Sequence, residues 1–134
     1  RRQRQMCIRD SDTAVAAEDI YIGDGGSNSL LVSSVDVKKP DQIVDNTMIL
    51  SQYVDIYVSE SAFYLYQRKG YWDDVVTQIA KFDLSDGKMN AVGAVSANGR
   101  VTDTFAVNEC EGKLRVLTSG QNAVSGEAEN NLYQ

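Results

Sequence analysis

A two-strand pattern that recurs along the chain constrains the fold more than any other feature. The segments DTAV at 12–15 and DIYV at 55–58 are each followed, five residues after the valine, by an apolar-Tyr-apolar triplet. Both copies therefore read D-x-x-V-x-x-x-x-[IF]-Y-[IL], and a looser third copy begins at Thr104. Short alternating apolar runs that are joined by a polar turn predict a β-hairpin in each copy.

Two further strands follow each of the first two hairpins, separated by a polar turn. Units of four short strands that recur every 40–50 residues or so are typical of β-propeller blades. The sequence therefore predicts an all-β chain of antiparallel four-stranded blades, and a chain of 134 residues holds only part of a closed ring. A small β-sandwich or an irregular meander is the alternative that alternation alone leaves open. The predicted units are blade one at 12–50, blade two at 55–97 and a partial blade three at 103–134.

The two ends of the chain are expected to be unusual. The first eleven residues, RRQRQMCIRDS, are basic and lack the apolar pattern that follows. They resemble translated sequencing-adapter read-through from a metagenomic reading frame, so we interpret 1–11 as a disordered artefact; a basic arm is the alternative. At the other end, we expect that Gln134 marks a truncation inside the third blade.

Charge and residue types exclude several classes of function. The net charge of −6 argues against a nucleic-acid partner, because phosphate binding requires a basic surface. No run of about 18 apolar residues is present, so we expect no membrane span. The chain has no histidine, which removes the commonest general base and metal ligand. Its two cysteines, Cys7 and Cys110, form no metal-binding or disulfide framework. We therefore predict no catalytic residue and no cofactor other than the calcium candidate below.

One loop is the best candidate for a binding surface. Tyr71 and Trp72 sit between two predicted strands, where aromatic rings can stack on a sugar or anchor a protein partner. Asp73 and Asp74 follow them and are candidate Ca²⁺ ligands, with an ordinary exposed loop as the alternative. The run at 85–88, SDGK, is instead expected to form a tight β-turn.

Residues 55–133 resemble the β-propeller domain of secreted prokaryotic proteins that are distantly related to WD40 repeats. The segments that carry the resemblance are VDIYVSESAFYLY, TQIAKFDLSDGKMNAVG, FAVNECEGKLRVLTSG and NNLYQ, in that order. Cys110 stands where the family usually has an aromatic residue. The resemblance implies a propeller fold and a secreted or cell-surface location, and it carries over no catalytic residue.

Two functions remain open at this point. The first is a non-catalytic scaffold or binding module for protein or glycan, completed by the remaining blades of the parent chain. The alternative is the wall of a propeller-type glycoside hydrolase or lyase whose active site lies mostly in missing blades. The absence of histidine and of any catalytic motif favours the first.

Overall fold

The computed structural model describes residues 15–23, 27–71, 74–122 and 124–134, and these are almost entirely β-strand. The predicted segment 1–11 and the first residues of the first repeat lie outside the described residues. Short 3₁₀ turns, Ala17–Asp19 and Thr104–Ala106, come directly before β1 and β8. The strands are β1 Ile20–Ile22, β2 Asn28–Asp36, β3 Lys39–Ser51, β4 Asp55–Val58, β5 Ala62–Lys69, β6 Val76–Ser85, β7 Lys88–Asn98, β8 Val107–Cys110, β9 Lys113–Gln121 and β10 Ala128–Tyr133.

The described strands form three sheets. The second sheet has the order β4-β5-β6-β7, and every neighbouring pair in it is antiparallel, as expected of a blade. The third sheet has the order β10-β9-β8 and is also antiparallel. The all-β fold class and the incomplete propeller are therefore confirmed.

The first sheet departs from the expected strand arrangement. Its order is β1-β3-β2: β2 and β3 form an antiparallel hairpin, while β1 runs parallel to β3, with Ile20 opposite Met48. The prediction that every strand pair of the first sheet is antiparallel is therefore wrong, because β1 pairs in parallel with β3. Tyr21 gives a physical reason, because its ring packs edge-on against Phe82 of the second sheet at 5.1 Å between centroids. This position partly buries the Tyr21 ring against a neighbouring sheet.

The second sheet lies between the other two, and β5 shows this most clearly. Five consecutive residues, Ala62 to Tyr66, are buried. Alternate side chains point to opposite faces of a strand. Ala62, Tyr64 and Tyr66 accordingly pack with Val107 and Val116 of the third sheet. Tyr64 and Tyr66 therefore share a face that packs between the second and third sheets.

The opposite face of β5 packs on the first sheet. Phe63 and Leu65 cluster there with Ile49, Phe82 and Met89. The rings of Phe63 and Phe82 stack with 4.6 Å between centroids and an interplanar angle of 3°. Both rings belong to the second sheet, where the two residues are cross-strand partners, and Tyr21 and Ile49 of the first sheet pack with them. Aromatic side chains dominate the energetics of such cores, so the stack provides an apolar surface on which the first sheet packs.

The ends of the second and third sheets differ in their connections. Tight turns at 59–61, 86–87 and 111–112 lie at one end, which we call the turn end. Longer segments at 70–75, 99–106 and 122–127 lie at the other, which we call the loop end. The predicted tight turn at 85–88 is confirmed, since Asp86 (φ 52°) and Gly87 (φ 77°) both adopt the positive φ of a type I′ turn.

Candidate functional site

Polar ties hold the second and third sheets together at the loop end. The Thr118 hydroxyl of β9 donates a hydrogen bond to the carbonyl of Asn98 at the end of β7. The Thr77 hydroxyl of β6 donates to the carbonyl of Gly99 at 2.8 Å and so anchors the segment that leads from the second sheet to the third. Arg100 and Ser119 exchange backbone hydrogen bonds of 2.8 and 2.9 Å. Because Thr77 and Thr118 are fully buried, these bonds satisfy polar groups that would otherwise be costly to bury.

Two glycines let the backbones of the two sheets approach closely. A Cβ atom on Gly120 would lie 3.2 Å from the Cα of Gly99. Gly99 itself has φ +87°, and a Cβ there would lie 2.9 Å from the Thr118 hydroxyl oxygen and 3.0 Å from the Ser119 carbonyl oxygen. Side chains at these positions would fill the junction between the sheets.

A polar groove of 520 Å³ lies on one side of this junction. Asn122 shapes its rim, because its side-chain oxygen accepts hydrogen bonds from the backbone N–H groups of Val124 and Ser125 at 2.9 and 3.1 Å. The hydroxyl oxygen of Tyr133 accepts a hydrogen bond from the Asn98 N–H at 3.2 Å, which leaves the phenolic proton available to a ligand. The polar side chains that line this groove are Asp74, Asn98, Gln121, Asn122, Glu129, Asn131 and Tyr133.

A second groove, of 650 Å³, adjoins the first and shares Gly120 and Gln121 with it. Arg68, Tyr71 and Arg100 line it, and we call it the arginine groove. Arg68 follows Tyr64 and Tyr66 at the same alternation along β5, so it lies on the face toward the third sheet. Two arginines and an exposed tyrosine thus line one concavity.

The predicted binding loop maps onto these grooves in part. Tyr71 is 81% exposed and lines the arginine groove, while Asp74 is exposed and lines the polar groove. Trp72 and Asp73 lie outside the described residues. Within the described ranges, no group of three or more His, Cys, Asp or Glu side chains is placed to hold a metal ion. Calcium binding at Asp73 and Asp74 stays a prediction.

Sequence reasoning did not identify Arg68 and Arg100 as site residues. The signal for Arg68 was the alternation of β5, which places it on the face of Tyr64 and Tyr66. Arg100 could not be placed in this way, because it contacts the third sheet through an isolated bridge to Ser119 after the end of β7.

A carboxylate cluster ties the same two sheets together at the turn end. Glu109 of β8 accepts hydrogen bonds from the hydroxyls of Ser59 at 2.6 Å, Tyr64 at 2.7 Å and Ser61 at 3.0 Å. The Ser59 and Tyr64 hydrogen bonds lower the pKa of Glu109 despite its partial burial. Burial, and then the neighbouring Glu109, raise the pKa of Tyr64 well above its ordinary value. The cluster is an inter-sheet contact and does not open into either groove.

The geometry defines a protein of the propeller class, in which blade-like sheets pack face to face and present loops at one end. The family model described as a beta propeller domain matches residues 4–134, so the chain belongs to that family. The matched range includes residues 4–11, so this comparison gives no boundary between the segment 1–11 and the domain. No curated protein and no solved structure matches the chain. In the described part of the chain, no helix is long and apolar enough to cross a membrane.

Proposed function

We propose that the chain is part of a non-catalytic binding module on a secreted or cell-surface propeller, and that its loop end binds glycan. The observation that carries this proposal is Tyr71, whose side chain is 81% exposed beside two grooves that are rich in hydrogen-bonding groups. A binding site commonly combines an apolar or aromatic wall with a few convergent polar groups. Further blades of the parent chain would complete the ring around this surface.

The distribution of exposed aromatic rings supports the choice of the loop end. Tyr53, Tyr71 and Phe105 are 90%, 81% and 97% exposed, and each lies in a segment that connects strands at that end. The aromatic residues described elsewhere in the chain are at least partly buried. Because an aromatic ring in water is a costly surface feature, their grouping at one end favours a contact role there.

Glycan fits the grooves better than a flat protein surface does. Both grooves are concave, and amide side chains such as Gln121 and Asn131 can donate to and accept from sugar hydroxyls. The flat face of Tyr71 offers the apolar area on which the C–H face of a sugar ring can pack. A protein partner would instead require a broad apolar contact core with a polar rim.

The test is binding of the full chain to a panel of immobilised neutral and acidic polysaccharides. We expect Tyr71→Ala to weaken binding to the best ligand by about tenfold, the effect of losing one aromatic anchor. Val37→Ala is the matched control, since Val37 is 87% exposed in a turn of the first sheet, away from the grooves. Equal binding by the Tyr71→Ala variant and the unmodified chain would contradict the proposal.

The same panel tests the non-catalytic assignment. After prolonged incubation with each bound polysaccharide, we expect no increase in reducing ends or in unsaturated uronate absorbance. A steady increase that is abolished by changing a groove carboxylate, such as Glu129→Gln, would favour the hydrolase or lyase alternative instead.

A further inference from the structure

We propose that the arginine groove binds an acidic glycan, with a uronate carboxylate held between Arg68 and Arg100. This inference rests on the proposed glycan-binding function and names the chemical class of its ligand. Arg68 and Arg100 line the same 650 Å³ groove together with Tyr71, Ser119 and Gln121.

The two arginines are held in place by strand pairing. Arg68 lies opposite Thr77 in the β5–β6 ladder, and Thr77 is itself anchored to Gly99. Arg100 is fixed by its two backbone hydrogen bonds to Ser119 of the third sheet. The bases of both side chains are therefore set by the scaffold before any ligand arrives, which reduces the entropy lost on binding.

Neither arginine has an anionic partner among the described residues. Lys81, in contrast, forms an ion pair with Asp83, with 3.0 Å between the nitrogen and the oxygen. Acidic residues outnumber basic ones in the sequence, 19 to 13, so partners would be easy to supply. Guanidinium groups bind carboxylates through paired, charge-assisted hydrogen bonds. An arginine pair in a concave groove, with no anionic partner in the described part of the chain, is suited to an anion from outside the chain.

The neighbouring groups favour a sugar acid over an isolated anion or an acidic peptide. Tyr71 provides a flat wall next to the guanidinium groups. Asp74 and Glu129 line the adjoining polar groove, where carboxylates accept hydrogen bonds from sugar hydroxyls, which polyglutamate does not offer. A ligand that is anionic at one point and rich in hydroxyls beside it matches both grooves, and a uronate in a polysaccharide has that arrangement.

The experiment measures binding of the full chain by isothermal titration calorimetry in low-salt buffer. The probes are polygalacturonate, its fully methyl-esterified form, dextran, dextran sulfate and polyglutamate. We expect polygalacturonate to bind at least about tenfold more tightly than the other four, because only it carries carboxylates on a sugar ring. Raising the salt concentration should weaken this binding, as it does for charged contacts at a surface.

Variants assign the binding to the groove. Arg68→Gln and Arg100→Gln should each weaken polygalacturonate binding by about tenfold or more, the effect of losing charge-assisted hydrogen bonds. Arg115→Gln is the matched control, because Arg115 lies in β9 outside both grooves and should keep the original affinity. Circular dichroism of each variant verifies that the fold is intact.

Any of five results would overturn the inference. Equal binding of the methyl ester would show that the carboxylate is not recognised. Equal binding of polyglutamate would show that the sugar ring is not recognised. Equal binding of dextran sulfate would reduce the site to general anion attraction. An equal loss in Arg115→Gln would place the site elsewhere. If binding depends on Tyr71 but not on Arg68 or Arg100, the proposed function stands while this inference fails.

Discussion

Strand β5 lies in the central sheet and strand β2 in an outer sheet, and the two strands differ in how many of their faces are packed. In β5, residues from Ala62 to Tyr66 are all buried, because sheets pack on both of its faces. In β2, Leu30 and Val32 pack toward the second sheet, while Leu31 between them is 54% exposed. The number of packed faces, rather than strand propensity, therefore sets how much each apolar side chain contributes to stability.

The largest expected effect tests that difference directly. Phe63→Ala removes one ring of the Phe63–Phe82 stack and should lower the free energy of unfolding by about 3–5 kcal/mol. Leu31→Ala, on the exposed face of β2, should cost less than about 1 kcal/mol. Urea unfolding followed by circular dichroism measures both. Similar losses in the two variants would show that the second sheet is not packed on both faces.

A smaller effect is expected at the junction of the second and third sheets. Gly99→Ala forces a side chain into a positive φ and against Thr118 and Ser119, so it should destabilise the chain by about 1–3 kcal/mol. Gly93→Ala is the control in the preceding strand, where an added Cβ has no neighbour within 4 Å. It should be neutral or stabilise the strand by up to about 1 kcal/mol. Thermal melts that ranked the two variants in the reverse order would contradict the close approach.

The Glu109 cluster predicts a pH dependence of comparable or smaller size. The hydrogen bonds from Ser59 and Tyr64 lower the pKa of the Glu109 carboxyl from its ordinary 4.5. The stabilisation from the charged carboxylate is therefore fully present above about pH 4.5 and is lost as the pH falls through the folded-state pKa. Glu109→Gln removes the charge and should cost about 1.5–3 kcal/mol at pH 7, the range for a hydrogen bond to a charged group. Melting temperatures between pH 3 and pH 7 should therefore change less in this variant than in the original chain. A parallel decline in both would assign the acid sensitivity to other carboxylates.

The smallest effect on stability is expected on the outer face of the third sheet. Leu117 and Leu132 are paired across β9 and β10 and are 47% and 72% exposed. Replacing both with Lys should change the free energy of unfolding by less than about 1 kcal/mol. It should nevertheless reduce self-association in sedimentation experiments, because paired exposed leucines form an apolar patch. Unchanged association would point to another face, such as the one around Val92 and Val95 of β7, which are 58% and 65% exposed.

The second sheet was predictable from the sequence because each of its strands carries a strong local signal. The repeat at 55–65 gave its first hairpin, and SDGK at 85–88 has the turn chemistry that the structure uses. The placement of β1 was not predictable in this way. A three-residue strand has little propensity of its own, and its position depends on the contact of Tyr21 with a distant ring.

The candidate site was predictable only in its aromatic part. Tyr71 could be identified because a tyrosine in a polar loop has no core to enter. The arginine groove forms where the second and third sheets meet at Gly99 and Gly120. It brings Arg68 close to Ser119, which is distant in the sequence, and no local pattern indicates such a contact. Glu109 likewise acquires its role from hydroxyls almost 50 residues earlier in the chain.

The two polar ties between the second and third sheets lie at opposite ends of their shared face. Glu109 bonds the sheets at the turn end, and Thr118 and the Arg100–Ser119 bridge bond them at the loop end. Sheets joined by apolar contacts alone can slide, whereas two separated sets of directional bonds resist both sliding and rotation. A mutation at the turn end should therefore loosen the walls of a groove that it does not touch, and affinity would fall through faster ligand dissociation.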